Sequence, residues 1–192
     1  MNGIRNILIA AAVGLLNCAA LASTNVTANR AVKIQKPGLP NLHRISDRLY
    51  RSAQPTKEGF GEMKTLGIKT VVNLRAFHSD RKGLSPHGLK HEHINFNTWH
   101  PEDEDVIRFL KLVTDTNAAP VLVHCQHGAD RTGTMIAIYR ITVEGWSKKD
   151  ALKEMIGEQF GFHKVWGNLI RFINDLDVDA IKKKVGIMAT LS

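Results

Sequence analysis

The stretch that most constrains the fold runs from Val121 to Tyr139, because three kinds of local structure meet there in a fixed order. Val121–His124 is a short apolar run rich in β-branched residues, which is typical of a buried strand. A tight loop containing Gly128 follows, and from Thr132 the chain is again apolar, in a pattern that favours a helix. A strand, a glycine-containing loop and a helix in succession favour an anion-binding site, because free backbone N–H groups at the start of the helix point towards the ligand.

The rest of the chain alternates between patterns typical of strands and of helices. The strands are predicted at 43–51 (an edge strand or a two-stranded start), 68–74, 91–96 and 121–124, and the helices at 56–66, 103–116, 130–143, 147–158 and 164–176. Residues 130–143 are apolar on most faces, which suits a helix in the centre of the domain. The alternation predicts an α/β fold with a central, mostly parallel sheet flanked by helices. The site is expected beyond the carboxyl end of a central strand.

The first 22 residues differ in kind from the rest. Arg5 is their only charged residue, 7–16 is apolar, and Ala20-Leu-Ala22 is a small-residue cleavage pattern. We therefore expect a signal peptide over 1–22, a periplasmic or secreted mature chain from Ser23, and no stable membrane insertion after cleavage. Lipid attachment at Cys18 is a weaker alternative, because Asn17 before it is large and polar. A flexible arm is expected over 23–41, an ordered domain over 42–186 and a tail over 187–192.

Cleavage would remove Cys18 and leave Cys125 as the only thiol, so no intramolecular disulfide could form. The loss of Arg5 leaves 25 Lys and Arg against 18 Asp and Glu, a net charge of +7 that favours anionic partners. These basic residues are scattered, apart from the run 182–184, which reads as a solvated helix end. A nucleic-acid partner is therefore not expected.

The loop that begins at Cys125 has the residue types that phosphate chemistry requires. Backbone N–H groups and the positive end of a helix can surround a phosphate dianion, and Gly128 permits the tight turn. Arg131 carries a fork of donors that matches two phosphate oxygens. The same positive field favours the thiolate of Cys125, and the Thr132 hydroxyl can donate a hydrogen bond to it. His124 is expected to orient the loop by hydrogen bonding.

Residues 124–133, HCQHGADRTG, resemble the HC-x5-R signature of the cysteine-dependent protein tyrosine phosphatase superfamily, and residues 50–55, YRSAQP, resemble a second stretch of its bacterial, dual-specificity-like members. The resemblance implies a phosphatase domain over 42–186, with Cys125 as nucleophile and Arg131 as phosphate clamp. It also implies a phosphocysteine intermediate and no metal or cofactor. The implied phosphate-binding residues are Gln126, His127, Gly128, Ala129, Asp130 and Arg131.

The general acid is the least determined part of the expected site. Members of the family carry an aspartate on a loop upstream of the nucleophile, often after Trp-Pro, and here residues 99–105 read WHPEDED, with His100 inserted. We expect Asp103 to be the acid, with Glu102, Asp105 and Asp130 as alternatives. Acidic residues in a first helical turn also complement the helix dipole whatever the function. The three tryptophans, at 99, 146 and 166, are expected to pack in the core or on loops, although the loop of Trp99 could close over a substrate.

These features predict an exported phosphomonoesterase acting on a phosphorylated protein or a small phosphoester, of the phosphotyrosine or phosphoserine/threonine type. A phosphatase of inositol phosphates or phosphoinositides is an alternative, which the absence of lysine from the loop and the presence of Asp130 disfavour. A module that binds phosphorylated ligands without catalysis is a second alternative. A sulfurtransferase would also use a loop cysteine, but the RTG continuation favours phosphate.

Overall fold

The computed structural model describes residues 30–187, which form six strands and seven α-helices. The strands are β1 (Val32–Lys33), β2 (His43–Ser46), β3 (Leu49–Ser52), β4 (Thr70–Asn73), β5 (Lys90–His93) and β6 (Val121–His124). The helices are α1 (Lys57–Thr65), α2 (Arg81–Leu84), α3 (Asp103–Thr114), α4 (Asp130–Thr142), α5 (Lys148–Met155), α6 (Gly167–Asp175) and α7 (Val178–Val185). Three 3-10 turns, at Ser85–His87, Glu158–Phe160 and Lys164–Trp166, complete the chain.

The strands form one mixed sheet in the order β1-β2-β3-β6-β4-β5. The pairs β1/β2 and β2/β3 are antiparallel, whereas β3/β6, β6/β4 and β4/β5 are parallel. In register, His124 at the end of β6 lies opposite Ser52 on β3 and Asn73 on β4. The carboxyl ends of three parallel strands therefore meet at one edge, and the loop that begins at Cys125 lies there. The predicted α/β class with a central, mostly parallel sheet is confirmed.

The sheet is covered on both faces, as the period-two alternation of side chains requires. Val71 on β4 and Leu122 on β6 belong to a smaller cluster with α1 and α2. Their neighbours Val72 and Val123 belong to the larger cluster with α3–α7. Helix α4 lies within the larger cluster and is buried from Thr132 to Thr142. The prediction of an apolar central helix after the loop is therefore confirmed.

The amino-terminal boundary of the domain differs from the prediction. The described part of the expected flexible arm, residues 30–41, contains β1, which pairs with β2, and Leu39, which is only 2% exposed. The domain therefore begins before residue 42, because this segment pairs with the sheet and fills the smaller cluster. The predicted strand at 43–51 is the antiparallel pair β2 and β3. Strand β1 and helix α2 were not predicted, and of α7 the sequence indicated only its lysine-rich end at 182–184.

The expected signal peptide at 1–22 lies outside the described residues, as does most of the expected tail at 187–192. Among the described helices, none combines the length and the apolar character that crossing a membrane requires.

Candidate active site

Cys125 lies at the junction of β6 and α4, and 2% of it is exposed. The loop that follows reaches Asp130, the first residue of the 13-residue helix α4. The unpaired N–H groups at the start of a helix and the helix dipole both favour an anion at this point. The thiol is thus placed where a negative charge is stabilised.

Carbonyl oxygens of the loop accept hydrogen bonds from residues outside it. Those of residues 126–128 each accept one hydrogen bond, and the donors are the backbone N–H of Gln54 (3.1 Å), the side-chain amide of Asn41 (3.1 Å) and the guanidinium of Arg51 (2.6 Å). By contrast, none of the N–H groups of residues 126–129 has an acceptor among the described residues. A peptide unit whose C=O faces outward directs its N–H to the inner side, so the loop forms a ring of free donors.

Gly128 allows this loop to lie directly on the sheet. Its φ of +68° is in the left-handed region. A Cβ at this position would lie 2.6 Å from backbone atoms of Ser52 and Ala53, closer than any side chain can approach. The end of β3 therefore supports the loop from below, and residues 50–55 act as its platform.

Arg51 is the charged residue of that platform, and its residue type alone did not predict a role for it. It is completely buried, donates to the Gly128 carbonyl at 2.6 Å, and has its guanidinium carbon 3.9 Å from the ring centroid of Phe160. Burial lowers the pKa of Arg51 to about 10, while the charges of Glu154 and of a Cys125 thiolate favour its protonated form. Arg51 therefore supplies a positive charge beneath the loop. Its only sequence signal is its position in YRSAQP.

His124 contacts an aspartate that the sequence did not single out. The buried imidazole places Nε2 3.0 Å from Oδ2 of Asp80, and Nδ1 lies 3.3 Å from the Cys125 carbonyl oxygen. Asp80 also accepts hydrogen bonds from Gln54 (2.8 Å) and Asn73 (2.7 Å). Burial alone would raise the pKa of Asp80, but His124 and the bond from Gln54 lower it overall. A carboxylate with two further hydrogen bonds thus lies against the residue immediately before Cys125.

Arg131 and Thr132 lie in the first turn of α4. Arg131 is half-buried and donates to the carbonyl of Leu74, just beyond β4, at 3.4 Å. The Oγ1 of Thr132 is buried without a hydrogen-bond partner among the described residues. A buried hydroxyl without a partner is costly, and an anionic sulfur would satisfy it. The geometry therefore leaves Thr132 available to the thiolate.

The expected acid lies on a separate segment. Asp103 is the first residue of α3 and is half-buried, and no hydrogen bond among the described residues connects it to the loop. Burial, and secondarily the charge of Glu102, raises the pKa of Asp105. A raised pKa is a property that a general acid requires, so Asp105 is a structural competitor.

The segment before α3 is held at one side and exposed at the other. Asn168 on α6 donates to the Thr98 carbonyl at 2.6 Å. Trp99 is 78% exposed and meets Trp166 edge-on, with ring centroids 5.2 Å apart. Trp146, by contrast, is buried. Trp99 therefore packs on a neighbouring loop rather than in the core.

Asp130 contacts a segment that is distant from it in sequence. It is 6% exposed and accepts hydrogen bonds from the backbone N–H and the Nδ1 of His163, each at 2.9 Å. The ring of His127 lies 5.3 Å from that of His163. No sequence pattern singled out His163, which meets the loop only in the folded chain.

Comparison with known protein families gives a match over most of the domain. A family model described as "DSP-PTPase phosphatase fused to NAD+ Kinase" matches residues 34–167. The dual specificity protein phosphatase TpbA of Pseudomonas aeruginosa is 34% identical over 143 residues, which cover 74% of this chain and 65% of TpbA. The chain therefore spans slightly less than two thirds of that relative. Inositol diphosphatase DSP5 of Arabidopsis thaliana is 29% identical over 154 residues, covering 75% of this chain and 73% of that protein.

Solved structures of TpbA are also similar to this chain. The crystal structure of P. aeruginosa TpbA is similar with a TM-score of 0.74 at 31% identity, covering 82% of this chain and 97% of that one. A structure of TpbA in complex with pTyr is similar with a TM-score of 0.74 at 30% identity, covering 84% and 98%.

Proposed function

Because the chain belongs to the DSP-PTPase family of phosphatases, we propose that it is a phosphomonoesterase that acts through Cys125 and prefers phosphotyrosine-type esters. The observation that carries the proposal is the loop over residues 125–131, in which the carbonyls of 126–128 are bonded outward and the N–H groups remain free. Such a ring of donors above a buried thiol matches the shape and charge of a phosphoryl group. Phosphotyrosine is favoured because a structure of the relative TpbA contains pTyr.

The proposed first step is attack of the Cys125 thiolate on phosphorus. The S–P bond forms while the P–O bond to the leaving group breaks, and Asp103 transfers its proton to the departing oxygen. Arg131 holds two of the three equatorial oxygens, and the loop N–H groups stabilise the charge that develops on them. In the second step, water attacks phosphorus, Asp103 accepts its proton, and the thiolate is released with inorganic phosphate.

Replacement of the nucleophile tests this mechanism. Cys125→Ser should abolish hydrolysis of an aryl phosphate in the absence of metal, because an alcohol in this position is not ionised near neutral pH. Binding of a phosphotyrosine peptide, measured by calorimetry, should persist because the donors of the loop remain. Turnover that survives in Cys125→Ser would rule out the mechanism. Binding by the unchanged chain without any turnover would instead favour the non-catalytic module.

The acid is tested by single amides of Glu102, Asp103, Asp105 and Asp130. Asp103→Asn should lower kcat by about 10²–10⁴-fold with little change in KM, because a positioned proton donor acts mainly in the transition state. Glu102→Gln and Asp105→Asn bring the same charge change outside the loop and serve as matched controls, whereas Asp130→Asn tests the alternative acid within the loop. A large loss in Asp105→Asn instead would move the role to Asp105, whose pKa is raised by burial.

A second candidate substrate class is the inositol phosphates, since a relative with 29% identity is named an inositol diphosphatase. The absence of lysine from the loop disfavours it. The argument from Asp130 is weaker than the sequence suggested, because that carboxylate is occupied by His163. Comparison of kcat/KM for phosphotyrosine peptides, phosphoserine/threonine peptides and inositol phosphates separates the classes.

Export is part of the proposal. It is supported by the composition of residues 1–22, with an apolar run and a small-residue cleavage pattern. Sequencing the amino terminus of the chain recovered from its host should find Ser23 as the first residue.

A further inference from the structure

Two imidazoles and one carboxylate converge at the rim of the loop, outside the position of the thiol. His127 comes from the loop, Asp130 from the first residue of α4, and His163 from the segment before α6. One candidate ligand atom from each lies within 4.8 Å of the corresponding atoms of the others. In a tetrahedral site with ordinary bond lengths the ligand atoms are about 3.4 Å apart. Side-chain rotation of the two exposed histidines can close that difference.

We propose that His127, Asp130 and His163 form a binding site for a divalent transition-metal ion of the Zn²⁺ type. The site is separate from the chemistry proposed for Cys125 and does not depend on it.

The chemical nature of the three groups selects the ion. Two imidazole nitrogens with one carboxylate suit Zn²⁺ and similar borderline ions, whereas Mg²⁺ and Ca²⁺ prefer sites made wholly of oxygen. Three protein ligands would leave the fourth position of a tetrahedral ion to water.

The charge around Asp130 supports the same inference. This carboxylate is 6% exposed, and in residues 30–187 its ion-pair partner is His163 alone. No lysine or arginine neutralises it in that range. A divalent cation would supply the missing positive charge.

The segments that carry the ligands are already held together. The side-chain amide of Asn41 donates to the His127 carbonyl at 3.1 Å and to the Phe160 carbonyl at 3.2 Å. His163 is fixed on Asp130 by its backbone N–H as well as by its ring. The segments that carry the ligands are therefore held close together before any ion binds, so that only the histidine side chains have to rotate, which reduces the entropic cost of binding. Because two of the three belong to the phosphate-binding loop, occupancy would couple that loop to the availability of Zn²⁺.

The test uses the full chain with Cys18→Ser and Cys125→Ser, so that no thiol can act as a ligand. Zn²⁺ alone is titrated by calorimetry and by its effect on the melting temperature. We expect saturable binding of one Zn²⁺, a higher melting temperature because the ion binds the folded state, and no comparable effect of Mg²⁺. Adding His163→Ala or His127→Ala should weaken Zn²⁺ binding at least about tenfold.

His100→Ala is the matched control, because His100 is also an exposed histidine beside a carboxylate, with its Nε2 3.7 Å from Oε1 of Glu102. It should leave Zn²⁺ affinity unchanged. The melting temperature of each variant without metal shows that it is folded. The proposal is overturned if the parent with both cysteines replaced binds no Zn²⁺, if His163→Ala binds it as tightly as that parent, or if His100→Ala weakens binding equally. None of these results bears on the phosphatase proposal.

Discussion

Two arginines of this domain, Arg51 under the loop and Arg140 on α4, are both completely buried, yet their surroundings are opposite. Arg140 forms a bidentate pair with Glu154, with both N···O distances 3.0 Å, contacts Glu144 and lies over the ring of Trp146. Burial alone would lower the pKa of Arg140, but the carboxylates of Glu154 and Glu144 raise it overall.

Arg51 has no carboxylate within ion-pair distance among residues 30–187. Its neighbours are the Gly128 carbonyl and the ring of Phe160, and its pKa is lowered to about 10. The same extent of burial therefore has different consequences for a cation, depending on whether carboxylates neutralise it. Where two carboxylates neutralise the cation, it joins α4 to α5 and contributes to stability. Where no carboxylate lies within ion-pair distance, and the charge of Glu154 acts only from farther away, the field of the cation remains available to an anion in the loop above.

The largest expected effect is on the neutralised arginine. Arg140→Met should lower the free energy of unfolding by about 3–5 kcal/mol, because it removes the cation from the pair with Glu154, whose side chain is only 8% exposed. Chemical denaturation measures the loss. The kcat of the fraction that remains folded should be unchanged. A large fall in kcat at full folding would contradict the division of roles between the two arginines.

Arg51→Met should affect activity rather than stability. We expect kcat/KM to fall about tenfold to hundredfold, since a hydrogen bond to a charged group contributes about 1.5–3 kcal/mol. The rate at which iodoacetamide alkylates Cys125 should rise at higher pH than in the unchanged chain, because the cation that favours the thiolate is lost. Arg140→Met is the control and should keep the original alkylation profile. Identical profiles for both variants would show that Arg51 acts only as a support.

The smallest expected effect is on the pH dependence of stability, at His43, which lies opposite Arg51 of the platform. His43 lies edge-on to Phe160 at 4.8 Å, and burial, and further Arg51, lower its pKa. The unfolded chain therefore binds this proton at a higher pH than the folded chain, so stability is lost as the pH falls below about 6.5. His43→Gln should lose less stability than the unchanged chain between about pH 7 and about pH 5.

His91→Gln is the control for His43→Gln. Burial lowers the pKa of His91 as well, but His91 lies on β5, away from the platform. Asp80 affects stability in a different pH range. Because its pKa is lowered in the folded chain, its contribution to the free energy of unfolding falls only below about pH 4. Equal acid sensitivity of His43→Gln and the unchanged chain would refute the prediction.

Local patterns predicted much of the fold. Val121–His124, Gly128 and the apolar helix after them occupy the predicted elements, because hydrophobic periodicity and turn chemistry act within a few residues. The arm was predicted wrongly, because the pairing of Val32 with Arg44 and the burial of Leu39 depend on parts of the chain folded elsewhere. The role of Asp103 stays a prediction, and the raised pKa of Asp105 arises from burial that the sequence did not reveal.

The sequence predicted Cys125 as nucleophile and Arg131 as clamp, and its local patterns established the order of strand, loop and helix around them and the α/β class. Those features depend on neighbours in the chain. Only the tertiary structure decided what surrounds the loop: Arg51 reaches Gly128 across 77 positions, and His163 reaches Asp130 across 33. Such contacts depend on how the strands are ordered in the sheet and on where distant loops pack, so no local pattern in the chain specifies them.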